Sequence, residues 1–424
     1  MNRYERVQEL DARLLRLMGK VRVLGALSWP QQVIARFLAD HQAGHDRLPE
    51  VVLEPLADDD ACEQLEALVR EADRSDPLQA FVARTADSFA IAAHMLRERG
   101  TPGFVARSTA LYGLPSDRMP GSEVSHLDAA RLLIETTKDL AAAGVVHDDD
   151  VCLMPEYVAS EIHKRVEPVL GVDTPAFEID MQLASKAAAS AKRVRLRGGT
   201  CFTRPDIYQL AQHEALVHSL TAINGGKQPL LRCMGAGSPR TTLAQEGLAT
   251  VAELTTGSMD IARLRRIALR ICATHLALEG ADFIEVFRFF RDQGQTEVES
   301  AHSAARVFRG GDVRGRIAFT KDVVYLCGMV AVHTFLHKAI ADARPELIRR
   351  VFAGRLALSD LLDLAPCFES GEVAEPTYLP PWAKDLDRLA AYLAFSSVIN
   401  QINLNAIDLD EFLSREGDRG AGRG

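Results

Sequence analysis

The sequence predicts an α+β fold that is predominantly helical, with a helical N-terminal region and a small sheet further along the chain. Aromatic residues make up 6% of the 424 residues, and Ala, Leu and Arg dominate, a balance that favours helix over strand. Apolar residues recur at intervals of three and four through most of the first third. Alternation of apolar and polar residues begins only after Asp173.

The periodic segments predict helices in order along the chain. In the first third these are residues 4–18, 31–40, 61–71, 77–99 and 126–143. Pro205 then opens a helix that we expect to end by Thr221, before a run of Asn and two glycines. Thr242 and Gln245 have the spacing of a capping box, and Gly257 marks an end, which predicts a helix over 243–256. Further helices are predicted over 260–278, 283–290, 297–307, 321–341 and 382–401.

Two short alternating segments predict strands. Phe177, Ile179 and Met181 alternate with polar residues, and the segment Arg193–Arg197 alternates again after an alanine-rich stretch. The three arginines of the second strand share one face. They indicate either a charged edge that blocks unwanted pairing or an edge that accepts an extended acidic peptide.

Charge, hydropathy and cysteine usage exclude several classes of protein. With 49 Lys+Arg against 58 Asp+Glu the formal charge is −9, which argues against broad nucleic-acid binding. The first 15 residues contain no apolar core of a signal peptide, and the apolar run 323–332 is half the roughly 20 residues that span a bilayer. Seven scattered cysteines, none spaced as CxxC, predict reduced thiols, a cytoplasmic protein and no cysteine-based zinc site.

The segment His213-Glu-Ala-Leu-Val-His218 carries the candidate chemistry. Two imidazoles can hold zinc, and Glu214 between them can take a proton from zinc-bound water. Residues five apart in a regular α-helix diverge by about 140°, so we predict a π-type widening or an unwinding at His218. His333 and His337 have better spacing but no acidic residue between them, and we interpret them as core or partly exposed histidines.

Glu246 is the predicted third ligand. Such zinc sites take their third ligand from a following helix, and Glu246 lies in the first turns of the next predicted helix. The adjacent Gly247 costs about 1 kcal/mol in a helix, which usually marks a close approach or a functional site. Glu253, seven residues later, either orients a ligating imidazole through its other nitrogen or is a surface charge.

These motifs resemble a known family. The residues that carry the likeness are 193–256, with the His213–His218 motif, Asn224-Gly225-Gly226, Gln228-Pro229 and Gln245–Ala249, and the later segments 306–310 and 320–328. Together they resemble the flavohaemoglobin expression-modulating QEGLA-motif family, which is related to the microtubule-associated tyrosine carboxypeptidases with their HExxxH zinc site. The resemblance implies a zincin-like catalytic region, His213, His218 and Glu246 as zinc ligands, and Glu214 as the catalytic base.

A carboxypeptidase also needs a cation to hold the terminal carboxylate of its substrate, and the arginine fork suits it best. The candidates are Arg306, Arg309, Arg240 and Lys227. An oxyanion partner could come from Tyr325, Tyr208 or His302, among which the sequence does not choose.

The sequence therefore predicts zinc-dependent hydrolysis of peptide bonds, most simply removal of a C-terminal residue, aromatic by the resemblance. We expect one zinc ion per chain and a peptide or protein C-terminus as substrate, with neither nucleic acid nor membrane as partner and the oligomeric state open. The alternatives are an endopeptidase or aminopeptidase, or a regulatory protein with a structural zinc site. The expected division is a helical region 1–165, a catalytic region 166–414 and a flexible tail 415–424.

Overall fold

The computed structural model describes residues 2–53, 56, 60–142, 152–183 and 185–399. Within these residues helices predominate and three short strands form one sheet, which confirms the predicted α+β, predominantly helical class. The predicted tail 415–424 and the end of the last predicted helix lie outside the described residues.

The helices before the sheet build the N-terminal region. They are α1 (Arg3–Met18), α2 (Val23–Leu27), α3 (Gln31–Gln42), α4 (Ala61–Glu71), α5 (Pro77–Arg97), α6 (Pro102–Tyr112), α7 (His126–Ala142) and α8 (Pro155–Leu170). The sequence did not predict α2, α6 or α8. Both α6 and α8 begin with a proline, and α8 contains a second one at Pro168, so their sequences resemble turns.

The described chain after the sheet is again mainly helical. Its helices are α9 (Arg204–Leu210), α10 (Leu220–Gly226), α11 (Thr242–Thr255), α12 (Ile261–Glu279), α13 (Phe283–Asp292), α14 (Glu297–Phe308), α15 (Val324–Ala341), α16 (Pro345–Arg350), α17 (Asp360–Asp363), α18 (Ala365–Glu369), α19 (Pro381–Lys384) and α20 (Leu386–Ile399). A π-helix (Ala211–Ser219) joins α9 to α10 without a break, and 3₁₀ turns occupy Gly171–Asp173, Arg232–Gly235, Pro239–Thr241 and Thr320–Val323. The last predicted helix is divided in two at Asp385.

The predicted end of the helix after Pro205 is wrong. The helix continues through Asn224 to Gly226. The Asn224 side chain donates to the carbonyl oxygens of Phe352 and Tyr378, each at 2.8 Å, and a Cβ on Gly225 would lie 2.2 Å from the Met234 carbonyl oxygen. The Asn and Gly residues therefore serve a close approach between segments and not a helix stop.

The predicted capping box at Thr242 and Gln245 is also wrong. The N-cap of α11 is Thr241, without a side-chain cap, and the capping box forms one turn earlier between Ser238 and Thr241. The Gln245 side chain instead accepts a hydrogen bond from the Thr221 hydroxyl at 2.9 Å, which ties α11 to α10.

The sheet contains the two predicted strands and one more. β1 (Ala176–Asp180) pairs in parallel with β3 (Arg193–Arg197), and β2 (Ala187–Ala189), from the alanine-rich stretch, pairs with β3 in antiparallel fashion. The strand order is β1-β3-β2, so the arginine strand is central. Both interpretations of β3 as an edge are therefore wrong, because its two edges already carry partners. Among the described residues, β2 forms the edge of the sheet beside the site, with no strand partner on its outer side.

A large apolar core joins the two halves of the chain. It includes buried residues of α1, α5, β3, α11 and α15, such as Leu14, Phe81, Leu196, Leu248 and Leu336. Helix α8 runs across the predicted boundary at residue 165. The division of the chain there stays a prediction.

Helices α11 and α15 cross in close contact through two glycines. A Cβ on Gly247 would lie 2.3 Å from the Gly328 carbonyl oxygen, and one on Gly328 would lie 2.3 Å from the Leu243 carbonyl oxygen. By length and composition the segment Thr320–Ala341 could cross a membrane, and half of its apolar stretch of 18 residues is buried within the protein. Its contact with α11 is that of a core helix.

Cys152 and Cys201 form a disulfide, which contradicts the expectation that all the thiols are reduced. The residues that follow them, Leu153 and Phe202, exchange two backbone hydrogen bonds of 2.8 and 3.2 Å. This bridge brings the two cysteine Cα atoms to 4.9 Å, a contact between residues 49 apart that their spacing does not reveal. The five other cysteines are free and buried.

Candidate active site

The predicted widening of the helix at the histidine motif is confirmed. Helix α9 starts from a capping box of Thr203 and Asp206, and the chain then adopts π geometry over Ala211–Ser219. In a helix of i→i+5 hydrogen bonds, residues five apart lie nearly above one another. The ring centroids of His213 and His218 are accordingly 4.8 Å apart, with an interplanar angle of 87°.

Glu246 on α11 completes a group of three ligand atoms. Its Oε2 lies 3.4 Å from His213 Nε2 and 3.7 Å from His218 Nε2. Tetrahedral zinc with bonds of about 2.0–2.1 Å places its N and O ligands roughly 3.3 Å apart. Oε2 of Glu246 is buried and has no hydrogen-bond partner among the described residues, as expected of an atom whose lone pairs serve a metal ion. The donor set and its spacing therefore fit zinc.

Glu253 lies directly behind His213. Of the two interpretations offered for Glu253, the one that fits is a carboxylate that orients a ligating imidazole. Its fully buried Oε1 is 2.6 Å from His213 Nδ1, the ring nitrogen turned away from Glu246. Arg263 donates to both oxygens of Glu253 at 3.0 Å, and Gln209 donates to Oε1 at 2.9 Å. This arrangement fixes the ring and leaves Nε2 directed at the ligand group.

Charge pairing determines the protonation states of the buried side chains of His213 and Glu253. Burial raises the pKa of Glu253, but the Arg263 charge and the hydrogen bond from His213 outweigh it and lower that pKa to about 2. Burial likewise lowers the pKa of His213, while the adjacent carboxylates of Glu246 and Glu253 raise it to about 10. The carboxylates thus favour a cation at this position, which is the electrostatic condition that a bound metal ion would satisfy.

Lys321 places a positive charge beside the ligand group, and this residue was not predicted from the sequence. Its Nζ lies 3.3 Å from Glu246 Oε1 and 5.4 Å from the centre of the Tyr325 ring. Burial disfavours the charge on Lys321, but Tyr325 and Glu246 raise its pKa above the usual value. Lys321 therefore holds the outer oxygen of Glu246 while the inner oxygen faces the histidines.

A cavity of about 830 Å³ opens onto the ligand group. Glu214 lines it next to His213, and the β2 edge with Asp180 and Arg195 lines another side. The remaining charged side chains in its wall are Arg306, Arg309, Lys321, Asp322 and Arg355, and the aromatic ones are Phe89, Tyr112, Phe319 and Tyr325. The cavity is large enough for a short peptide segment.

The two predicted arginines of the cavity differ in their pairing. Arg306 donates to both oxygens of Asp322, at 2.8 and 2.6 Å, so its fork is already occupied. Arg309 makes no hydrogen bond or ion pair with any described side chain. Burial, together with the nearby charge of Arg306, lowers the pKa of Arg309 to about 10. A carboxylate entering the cavity would find Arg309 still charged at neutral pH and available.

The structure does not bring the other two predicted cations to the cavity. Arg240 pairs with Asp360 and lies over the Phe81 ring. Lys227 pairs with Asp173 and is not among the residues that line the cavity. Both side chains serve structural ion pairs, so they are not placed to hold a substrate.

Of the three predicted oxyanion partners, Tyr325 lines the cavity. Tyr208 is 52% exposed and stacks with Arg165, and His302 is half-buried outside the cavity lining. Arg263, Arg270 and Lys321 all lie within 6 Å of the Tyr325 ring centre. The phenol therefore lies in a strongly cationic environment.

Arg355 is a further residue that sequence reasoning missed. It donates to the His218 carbonyl oxygen at 3.1 Å and lines the cavity. Burial lowers its pKa, which the charges of Glu214 and Glu246 partly offset. No local pattern marks Arg355, because it lies 137 residues beyond His218. Lys321 and Asp322 could have been noticed in the sequence, because they are two charged residues directly before the apolar run 323–332.

The chain matches a known protein family over most of its length. The model of one protein family, microtubule-associated tyrosine carboxypeptidase, matches residues 35–401. No curated protein matches the chain. Because the family match covers most of its length, including every residue of the site, this chain belongs to the microtubule-associated tyrosine carboxypeptidase family.

Proposed function

We propose that the chain is a zinc-dependent carboxypeptidase that removes the C-terminal residue of a peptide or protein. The observation that carries the proposal is the convergence of His213, His218 and Glu246 beside Glu214, in a cavity that also contains Arg309, which pairs with no described side chain. Family membership supports the class of reaction. We further propose that the chain is a QEGLA-motif protein with a zincin-like catalytic region. A cytoplasmic location is part of the same proposal.

Three protein ligands would hold the metal ion and leave a position for exchangeable ligands, as in catalytic zinc sites. His213 and His218 would bind through Nε2, and Glu246 through the oxygen that has no hydrogen-bond partner among the described residues. When bound, zinc supplies a Lewis acid that polarises the scissile carbonyl and makes water more acidic.

Glu214 moves the proton. It follows His213 directly in the π-helix, lines the cavity and is not part of the ligand group. Its carboxylate takes a proton from the attacking water and returns it to the leaving amine, so one group acts as base and then as acid. A purely structural zinc site would need no such carboxylate in an open cavity, which argues against the regulatory alternative.

Arg309 would bind the terminal carboxylate of the substrate. A free guanidinium in a partly desolvated cavity forms two parallel hydrogen bonds with a carboxylate. Arg306 stays paired with Asp322, so it would not bind the substrate carboxylate itself. Its positive charge would still attract a carboxylate toward Arg309. An arginine fork that no described carboxylate occupies favours a carboxypeptidase over an endopeptidase or aminopeptidase, neither of which needs to bind a C-terminal carboxylate.

The substrate chain preceding the scissile bond would lie along β2. Residues Ala187–Ala189 pair with β3 on one side and line the cavity on the other, with small side chains that leave room for an extended peptide. The peptide would add to the sheet by backbone hydrogen bonds. We place the strand addition that the sequence suggested at this edge.

The experiment compares two peptides of identical sequence that end in tyrosine, one with a free carboxylate and one with a C-terminal amide. Mass spectrometry should show loss of one terminal residue from the free peptide and none from the amide. Equal cleavage of both peptides, or cleavage within the chain, would contradict carboxypeptidase action. The amidated peptide itself is the matched control, because it differs in nothing but the group that Arg309 is proposed to bind.

A further inference from the structure

A second group of metal-binding side chains lies between α4 and α5, away from the candidate active site. Cys62 and Glu66 are four residues apart and therefore share one face of α4. His94 is in the last turn of α5, the helix that packs against that face. Cys62 is buried, while the side chains of Glu66 and His94 are 42% and 33% exposed, so solvent reaches the group from one side.

The ligand atoms of this group have the spacing of a metal site. Cys62 Sγ lies 3.3 Å from His94 Nε2, which lies 2.9 Å from Glu66 Oε1, and Sγ and Oε1 are 3.9 Å apart. Tetrahedral zinc with Zn–S of about 2.3 Å and Zn–N or Zn–O of about 2.0–2.1 Å separates these ligands by roughly 3.3–3.6 Å. Shifts of a few tenths of an ångström would bring all three atoms into the coordination sphere.

The arrangement at His94 separates a metal site from a nucleophilic one. In a relay that activates a cysteine, thiol and carboxylate contact opposite nitrogens of the imidazole. Here the thiol and the carboxylate both face Nε2. A single ring nitrogen carries either one proton or one lone pair, so it bonds one of the two partners at a time, and the other acceptor near the thiol is the Ala90 carbonyl oxygen at 3.9 Å. A metal ion at the centre uses a lone pair from each of the three atoms.

We propose that Cys62, Glu66 and His94 form a second zinc site, which joins α4 to α5 and stabilises the N-terminal helical region. Thiolate, imidazole and carboxylate are the three ligand types that zinc accepts in proteins, and one position stays open to water. The cysteine spacing did not indicate this site, because one cysteine contributes and the histidine lies on another helix. The chain then holds two zinc ions, one more than the sequence suggests.

Cobalt(II) distinguishes this site from the candidate active site, because a thiolate–cobalt bond absorbs in the near ultraviolet and His213, His218 and Glu246 supply no sulfur. The full chain, with its Cys152–Cys201 disulfide intact and its metal removed with a chelator, is titrated with cobalt. The wild-type chain should develop the thiolate band and reach its full intensity by two equivalents, because the His213 site can also take cobalt. Cys62→Ala should abolish the band, whereas Cys272→Ala, which removes a buried free cysteine of α12, should leave it intact.

Two further variants keep the test decisive. His94→Gln alters a partly exposed side chain, and the half-saturating cobalt concentration should rise at least tenfold. His213→Ala should retain the full band, so failure of the zinc carboxypeptidase proposal would leave this result unchanged. A wild-type chain without the band, or a band that persists in Cys62→Ala or disappears in Cys272→Ala, overturns the second site.

Discussion

The two proposed metal sites use the same number of ligands but differ in what surrounds them. In each, three ligand atoms lie within 4.8 Å of one another. Glu253 stands behind His213 and Lys321 behind Glu246, and both supporting residues are largely or fully buried. The Cys62 site lies at the surface between two helices, and its carboxylate is 42% exposed. A supported site beside a cavity suits catalysis, whereas a surface site that joins two helices suits stability.

The largest expected effect comes from removing a ligand of the supported site. His213→Ala should lower hydrolysis of a free C-terminal peptide by about 10³-fold or more, because the loss of a Lewis acid removes several kcal/mol of transition-state stabilisation. The matched control is His163→Ala, which changes a 46% exposed histidine of α8. Full activity in His213→Ala would show that the His213 site is not catalytic, and the proposed difference between a catalytic and a stabilising metal site would then be wrong.

The next effect concerns substrate binding. Arg309→Lys keeps the charge but loses the planar fork, and hydrogen bonds to charged groups contribute about 1.5–3 kcal/mol. We expect kcat/KM for the free peptide to fall about 10- to 150-fold, mainly through KM. Arg314→Lys, at a 79% exposed position, is the control. An unchanged KM in Arg309→Lys would show that another group binds the carboxylate.

The role of the buried support can be measured separately. Glu253→Gln should weaken zinc binding at the His213 site about 10- to 100-fold, as expected for a carboxylate that orients a ligating imidazole. Competition with a chelator of known affinity gives the dissociation constant, with Glu279→Gln at an exposed position of α12 as the control. Equal affinities of wild type and Glu253→Gln would mean that burial alone positions the ring.

The smallest effect tests the packing that places Glu246. Gly328→Ala should lower the free energy of unfolding by about 1–3 kcal/mol, because its Cβ would overlap the backbone of α11. Gly226→Ala is the matched control, since a Cβ there meets no atom within 4 Å and alanine favours the helix. Denaturant titration measures both variants. A similar change in the two would contradict the close crossing of α11 and α15.

The sequence predicted those parts of the site whose geometry is local. The five-residue spacing of His213 and His218 required a π-type turn, and strict alternation identified β1 and β3. Glycine next to Glu246 indicated a close approach, which the crossing at Gly328 explains.

What the sequence could not predict depends on contacts between distant segments. Lys321 contacts Glu246, which lies 75 residues earlier in the chain. Arg355 contacts His218, which lies 137 residues earlier. The pairing of Arg306 with Asp322, which leaves Arg309 free, depends on the packing of α14 against the turn before α15. Strand β2 consists of three alanines, which carry no alternation to recognise.

The most direct test of the central claim is Glu214→Gln, measured for both metal content and turnover. The substitution keeps the size of the side chain and removes its capacity to accept a proton. We predict unchanged zinc at the His213 site and a fall in turnover of about 10²- to 10⁴-fold on the free tyrosine-ending peptide. Turnover equal to that of the wild type, with zinc retained, would contradict the assignment of Glu214 as the base and with it the proposed reaction.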